Sequence, residues 1–212
     1  AGGLVGEVQQ SSTRKDCSVT GTQDQPIRIY NSGSYSVGGL VGRNNNTLKI
    51  NNCTVENVNL LANNSTAGGL IGKTEGSKSI NVSNLTLSNV IAATKNSNIY
   101  TGLLMGNGNN NTISGYNILA KGCKAGRVKD SNATVGTLGA VEADNWVFGK
   151  SGLWIGNATG TIKLVAVATD DTSSPQKDYS DGGTTTSITY ADYPVLQTNR
   201  PSGSVSPYLD VN

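Results

Sequence analysis

Polar and apolar residues of this chain alternate with a period of two in short stretches. In Asn52-Cys53-Thr54-Val55 the apolar or small residues take every second place, and Asn84-Leu85 repeats the phase, with Val82 as an exception. A period of two marks a half-buried strand rather than a helix. Asn, Gly, Thr and Val are also poor helix formers, and no segment carries helical periodicity. The chain therefore reads as short strands joined by Asn/Gly/Ser turns.

A second, longer period lies over the first. The burst Gly38-Gly39-Leu40-Val41-Gly42 also occurs as Gly2-Gly3-Leu4-Val5-Gly6 and as Gly68-Gly69-Leu70-Ile71-Gly72. Looser forms run over Thr101–Gly106 and Ser151–Gly156. Counted from the glycine before each leucine (Gly3, Gly39, Gly69, Gly102), the intervals are 36, 30 and 33 residues. At this spacing like residues fall into columns: Ile50, Ile80 and Ile113; Cys17, Cys53, Ser83 and Tyr116; Val19, Val55, Leu85 and Ile118; Leu60, Val90 and Cys123; Ala62, Ala92 and Ala125. The second and third repeats align from Gly39 to Ala62 and from Gly69 to Ala92 without a gap. The first needs about three extra residues before Ile27 and Ile29 join the last columns.

A repeat of this size cannot bury its apolar face alone, whereas stacking at about 4.8 Å puts like on like and closes a continuous core. The expected fold is all-β: a parallel β-solenoid (β-helix) of about four to five rungs over 1–160. An irregular β and extended C-terminal segment follows over 161–212. The glycine burst is expected to turn a corner, supplying positive φ and close approach between rungs, with its leucine pointing inward. A phosphate cradle is not expected, because no helix follows and the motif repeats. Val135–Gly139 is expected to be a degenerate rung, and Thr161–Ala168 the best single strand. Trp146, Phe148 and Trp154 are expected to cap the open core. The proline-containing tail after Tyr190 reads as extended.

Composition narrows the chemistry. The 212 residues carry 27 Gly, 14% charged residues and a net charge of +2, so polarity rests on amides and hydroxyls. Such a balance gives no reason to expect a nucleic-acid partner. No stretch approaches the roughly 18 apolar residues of a spanning helix, so no membrane insertion is expected. No signal peptide is visible; the chain starts inside its own motif and reads as an excised or processed segment. The three cysteines, Cys17, Cys53 and Cys123, have no zinc-site spacing and read as small buried apolar residues. Histidine is absent, which removes His-based triads and most metallohydrolase ligand sets.

No catalytic residues are expected. Glu7, Asp16, Asp24, Glu56 and Glu75 fall in different columns, so they form no carboxylate pair of the kind a β-helix lyase or glycosidase uses. Asp170, Asp171, Asp178 and Asp181 are the only candidate ligands for a metal, Ca²⁺. Their spacing is not that of an EF-hand, and the reading takes no cofactor, with calcium as the alternative. An ice-binding face would need a regular threonine ladder, and Thr184-Thr185-Thr186 is a single run. Nine Asn-X-Ser/Thr sequons, at Asn45, Asn52, Asn63, Asn64, Asn81, Asn84, Asn110, Asn132 and Asn157, offer glycosylation sites in a eukaryotic secretory pathway.

The residues Gly3-Leu4-Val5-Gly6, Gly39-Leu40-Val41-Gly42 and Gly69-Leu70-Ile71-Gly72 resemble the GLUG motif, as does the Asn-Cys strand at Asn51–Val55. Gly102 and Gly152 depart from it by inserting a residue before the last glycine. The resemblance covers roughly residues 1–125. That motif occurs in tandem in bacterial surface proteins, adhesin-like chains and non-catalytic regions of some immunoglobulin A1-cleaving metallopeptidases. It implies a non-catalytic structural or adhesive module, extracellular or at the cell surface. The expected partners are further copies in a filament, or a host or glycan surface. A carbohydrate-binding or carbohydrate-active β-helix is the alternative.

Overall fold

The computed structural model describes residues 1–97, 100–147, 154–157 and 160–170, and of Val165, Ala166 and Ala168 the backbone alone. Among these residues there is no α-helix; parallel strands wind through about four coils. The first coil holds β1 (Val5–Val8), β2 (Ser12–Lys15), β3 (Ser18–Thr20) and β4 (Ile27–Asn31). The second holds β5 (Val37–Gly38), β6 (Val41–Asn44) and β7 (Leu48–Ala62), and the third β8 (Ala67–Gly68), β9 (Ile71–Thr74) and β10 (Ser79–Thr94). The fourth holds β11 (Thr101–Gly102), β12 (Met105–Asn107), β13 (Thr112–Lys121) and β14 (Lys124–Val128). β15 (Trp146–Val147) and β16 (Thr161–Thr169) follow. The expected solenoid is thus observed, and the Thr161–Ala168 stretch is β16, parallel to β13.

Like positions stack into three sheets. One consists of β5, β8 and β11; a second runs β1-β6-β9-β12; the third and largest is built on β7, β10 and β13. The second sheet carries an unbroken column, Val5, Val41, Ile71, Met105 and Ile155. Beside it the motif leucines Leu40 and Leu70, then Leu104 and Trp154, are buried, while Leu4 on the first coil is 48% exposed. Stacking, not the motif alone, buries the leucine.

The glycine burst turns out to serve close approach rather than positive φ. Gly76 and Gly122 are the positive-φ glycines among the described residues, and neither belongs to a burst. A Cβ on Gly38 would lie 2.6 Å from the Gly72 amide nitrogen, and one on Gly72 2.5 Å from the carbonyl oxygens of Gly42 and Val37. No shift of a flexible side chain relieves a contact with backbone. The fourth coil corrects the reading of Gly102, which pairs with Gly68. Leu103 then stands where the third coil has Gly69, and nothing is inserted. Ile155 opposite Met105 brings Gly156 level with Gly106 in the same way; Gly152 lies outside the described residues.

The long strands β7 and β10 do not alternate from end to end. Their inward apolar positions include 48, 50, 53, 55, 58 and 60, and 80, 82, 85, 87, 90 and 92, with a step of three at each of Asn52, Asn57, Asn84 and Asn89. Those asparagines hold left-handed backbone: Asn52 at φ 52°, Asn57 at 51°, Asn84 at 52° and Asn89 at 51°. Asp16, at 55°, and Asn117, at 56°, extend the first column, and Gly122 the second. Asn and Asp are the side chains that tolerate this region best. Each such residue reverses which face the next one takes, so the chain bends around the core without losing its inward set.

The register follows these asparagines and corrects all five expected columns between the second and third coils. Asn44 pairs with Thr74, but Leu48 pairs with Ile80, so the third coil holds two extra residues in its turn. Ile50 therefore meets Val82, Cys53 meets Leu85, Val55 meets Leu87 and Leu60 meets Ala92. Ala62 lies beside Thr94 instead of Ala92. Between the third and fourth coils the expected pairs Ile80–Ile113, Leu85–Ile118 and Ala92–Ala125 are observed. Val19 meets Val55 as expected, while Ile27 meets Val58 and Ile29 meets Leu60, which places five rather than three extra residues in the first coil. Turns at the surface absorb insertions that the paired strands cannot.

Two sets of substitutions test this packing. Val55→Asp or Leu85→Asp brings an unpaired charge into fully buried positions, and thermal unfolding followed by circular dichroism should show a loss of at least about 4 kcal/mol. Asn84→Asp should stay within about 1 kcal/mol of the parent, because Asp16 already serves in that column. Gly72→Ala should cost roughly 3 kcal/mol. Gly6→Ala, at the equivalent place on the first coil, has nothing within 4 Å of the added carbon and should be near neutral.

Candidate functional site

The outer surface of the large sheet is organised by amide ladders. Asn52 Nδ2 donates to Asp16 Oδ1 at 2.6 Å, and Asn117 Nδ2 to Asn84 Oδ1 at 2.8 Å. In the second column Asn89 Nδ2 donates to Asn57 Oδ1 at 3.1 Å and Asn57 Nδ2 to the Gly21 carbonyl at 3.0 Å. Every donor points to the preceding coil, because a primary amide carries both a donor and an acceptor and can chain indefinitely. Left-handed backbone costs roughly 1–2 kcal/mol per residue, and a neutral hydrogen bond returns about the same. Asp170 closes the second column, accepting the Gly122 N–H at 2.8 and 3.0 Å.

That placement bears on the calcium candidates. Asp170 is occupied as a backbone acceptor, and Asp171, Asp178 and Asp181 lie outside the described residues. Among the described residues no group of three or more Cys, Asp or Glu could hold a metal ion. The acidic residues of the coils do other work: Glu7 and Glu75 bracket Arg43 at 3.4 and 3.3 Å, and Glu75 also meets Lys73 at 2.8 Å. These groups are about a third exposed or more, so the network adds little stability.

The segment after β14 departs from the coil. Val135–Gly139 is no rung: Leu138–Ala140 is a 3₁₀ turn in an excursion that folds back over the outside of the large sheet. It is anchored by a second apolar cluster, in which Leu138, Ala133 and Trp146 cover Leu61, Ala93 and Val128. Trp146 Nε1 donates to the Val141 carbonyl at 3.2 Å, and the Lys124 ammonium sits 4.3 Å from the centre of the Trp146 ring. The aromatic residues therefore do not form one cap over the open end. Trp146 seals this outer cluster, Trp154 takes the leucine position of the inner column, and Phe148 lies outside the described residues.

The excursion creates a concavity. Asn59 Nδ2 donates to the Val135 carbonyl at 3.3 Å, tying the excursion to β7. Between them and the first-coil loop at 21–26 lies a cleft of about 570 Å³, with Asn57, Asn59 and Ile91 in its floor and Arg28 in its wall. A shallower groove of about 390 Å³ follows the first ladder, past Lys15, Asp16 and Asn84. The cleft could not be read from columns, since it arises where residues 21–26 and 129–145 leave the repeat. The only sequence signal was that the repeat failed there.

Cys17, Cys53 and Cys123 are thiols, with no disulfide among them. Cys17 and Cys53 stand in adjacent coils, with the Thr54 amide donating to the Cys17 carbonyl at 2.9 Å. Burial, and then proximity to Cys17, pushes the Cys53 thiol from its ordinary 9.0 up to about 11.

The comparisons agree with the geometry in one place. The GLUG motif matches residues 33–60, the second coil from before its glycine corner into the last part of β7. No curated protein and no solved structure matches the chain.

The raised thiol gives a pH prediction. Its neutral form is favoured in the folded state, so that contribution to stability is complete below about pH 9 and is lost as pH rises through about 11. Melting temperatures taken across this window should fall less steeply for Cys53→Val than for the parent. Equal slopes would contradict the burial of an un-ionised thiol.

Proposed function

We propose that the chain is a non-catalytic structural and adhesive module of an extracellular surface protein or filament. The observation that carries this reading is the core column that runs through every coil, Val5 to Ile155, together with the amide ladders on the outer face of the large sheet. Such a module is rigid along its axis and can lengthen by adding coils, each held by its neighbours. Its polar face interacts through many weak, uncharged groups rather than through one catalytic constellation. A GLUG motif on the second coil supports the same reading.

The test is gain of attachment. The chain is displayed on a non-adherent bacterium, and cells retained under flow on glycan-coated and matrix-coated surfaces are counted; the supernatant is assayed for new reducing ends and unsaturated sugars. Several-fold higher retention without sugar products is expected. Release of products, or no attachment together with dispersed monomers by electron microscopy at high concentration, would contradict the proposal.

A further inference from the structure

The cleft under the excursion contributes nothing to stacking, since the coils close their core without it. We infer that it binds a carboxylated saccharide, with the Arg28 guanidinium taking the sugar carboxylate and the Gln23 and Asn89 side chains taking hydroxyls. This deepens the adhesive reading and rests on it.

Three observations carry the inference. The first is construction. Five separate segments line the cleft, and the excursion among them is held by its own apolar cluster and by the Asn59–Val135 hydrogen bond. Its volume of about 570 Å³ falls inside the range of roughly 300–1,000 Å³ typical of ligand sites. The excursion also keeps its wall thin: Gly136 faces Arg28 and Gly139 faces Ile91, where an added Cβ would come no closer than 3.5 and 4.0 Å.

The second is an unused cation. Arg28 is exposed and meets no carboxylate within 4.0 Å among the described residues, although Asp24 borders the same cleft. A guanidinium presents a rigid fork of donors that matches a carboxylate in two parallel bonds.

The third is the chemistry of the floor. Asn89 has committed its Nδ2 to Asn57, which leaves its carbonyl to accept. Gln23 is exposed at the mouth and offers both donor and acceptor. Sugar hydroxyls, each donor and acceptor, suit such amides. Ile91, Pro26 and Ala140 supply apolar surface for the C–H face of a ring. A peptide strand is the poorer occupant, because β7 and β10 are paired on both sides and offer no open backbone ladder.

Titration calorimetry of the whole chain with tri-galacturonate, 3′-sialyllactose and neutral lactose tests this. At least one acidic sugar should bind in the millimolar range or tighter, with lactose at least about 10-fold weaker. Arg28→Gln should weaken the acidic sugar by about 10-fold or more, the worth of a hydrogen-bonded charge pair. Gly139→Tyr should fill the cleft and remove binding. Both positions are exposed, so both variants should melt with the parent. Binding of tri-galacturonate alone identifies a uronan, and of sialyllactose alone a sialylated glycan; either supports the site. Equal binding of lactose, no binding of either acid, or affinity untouched by both variants overturns it. Should the sugars fail while displayed cells still attach, the site falls and the adhesive reading stands; loss of both overturns both.

Discussion

In the large sheet, Asp16 on the first coil and two positions on each later coil hold left-handed backbone, and the direction of every later side chain depends on them. Asn52 and Asn57 in β7, Asn84 and Asn89 in β10, and Asn117 in β13 each insert a step of three into an alternation of two. Without that step one strand of 15 or 16 residues would send half of its apolar set to the same flat face and could not wrap around a core. The conformational cost at each position is shared along the stack by amide hydrogen bonds to the preceding coil. An isolated coil has neither the ladder nor the buried leucine, and Leu4 at the end of the stack marks the difference.

Much of the architecture was legible in the sequence for a physical reason: stacking demands like on like, so the glycine burst and the period-two alternation both survive in the letters. The register was less legible. Counting from the glycines assumed that each coil keeps one length, and the two residues added between Thr74 and Ile80 moved Val82 into the place assigned to Ile80. The marker that would have fixed it is the five-residue pair of Asn or Gly, Asn52 with Asn57, Asn84 with Asn89 and Asn117 with Gly122, with Asp16 standing alone in the first coil. Each letter there reads as an ordinary polar strand or turn residue; only left-handed φ gives the pair its meaning. Gly102 misled in the opposite way, since a leucine in place of a second glycine looks like an insertion when the neighbouring coil is not seen.

The cleft was not legible at all. It comes from residues that break the repeat and from one hydrogen bond across 76 positions of sequence, Asn59 to Val135. Repeats build the scaffold and departures from them build the sites, because a uniform sheet face offers no concavity. The second apolar cluster explains why such a departure stays in place: Trp146 and Leu138 cover outward residues that the coil leaves bare.

Cross-linking reads the register directly. Glu56 is replaced by Cys together with either Ser88→Cys or Thr86→Cys, with Cys17, Cys53 and Cys123 made alanine or valine. Neighbouring paired residues have Cα atoms close enough for a disulfide, whereas a two-residue slip does not. Rapid disulfide formation in the 56–88 pair, which are partners across β7 and β10, with none in the 56–86 pair, is the predicted result. Preferential closure of the 56–86 pair would contradict the asparagine-set register and the fold built on it.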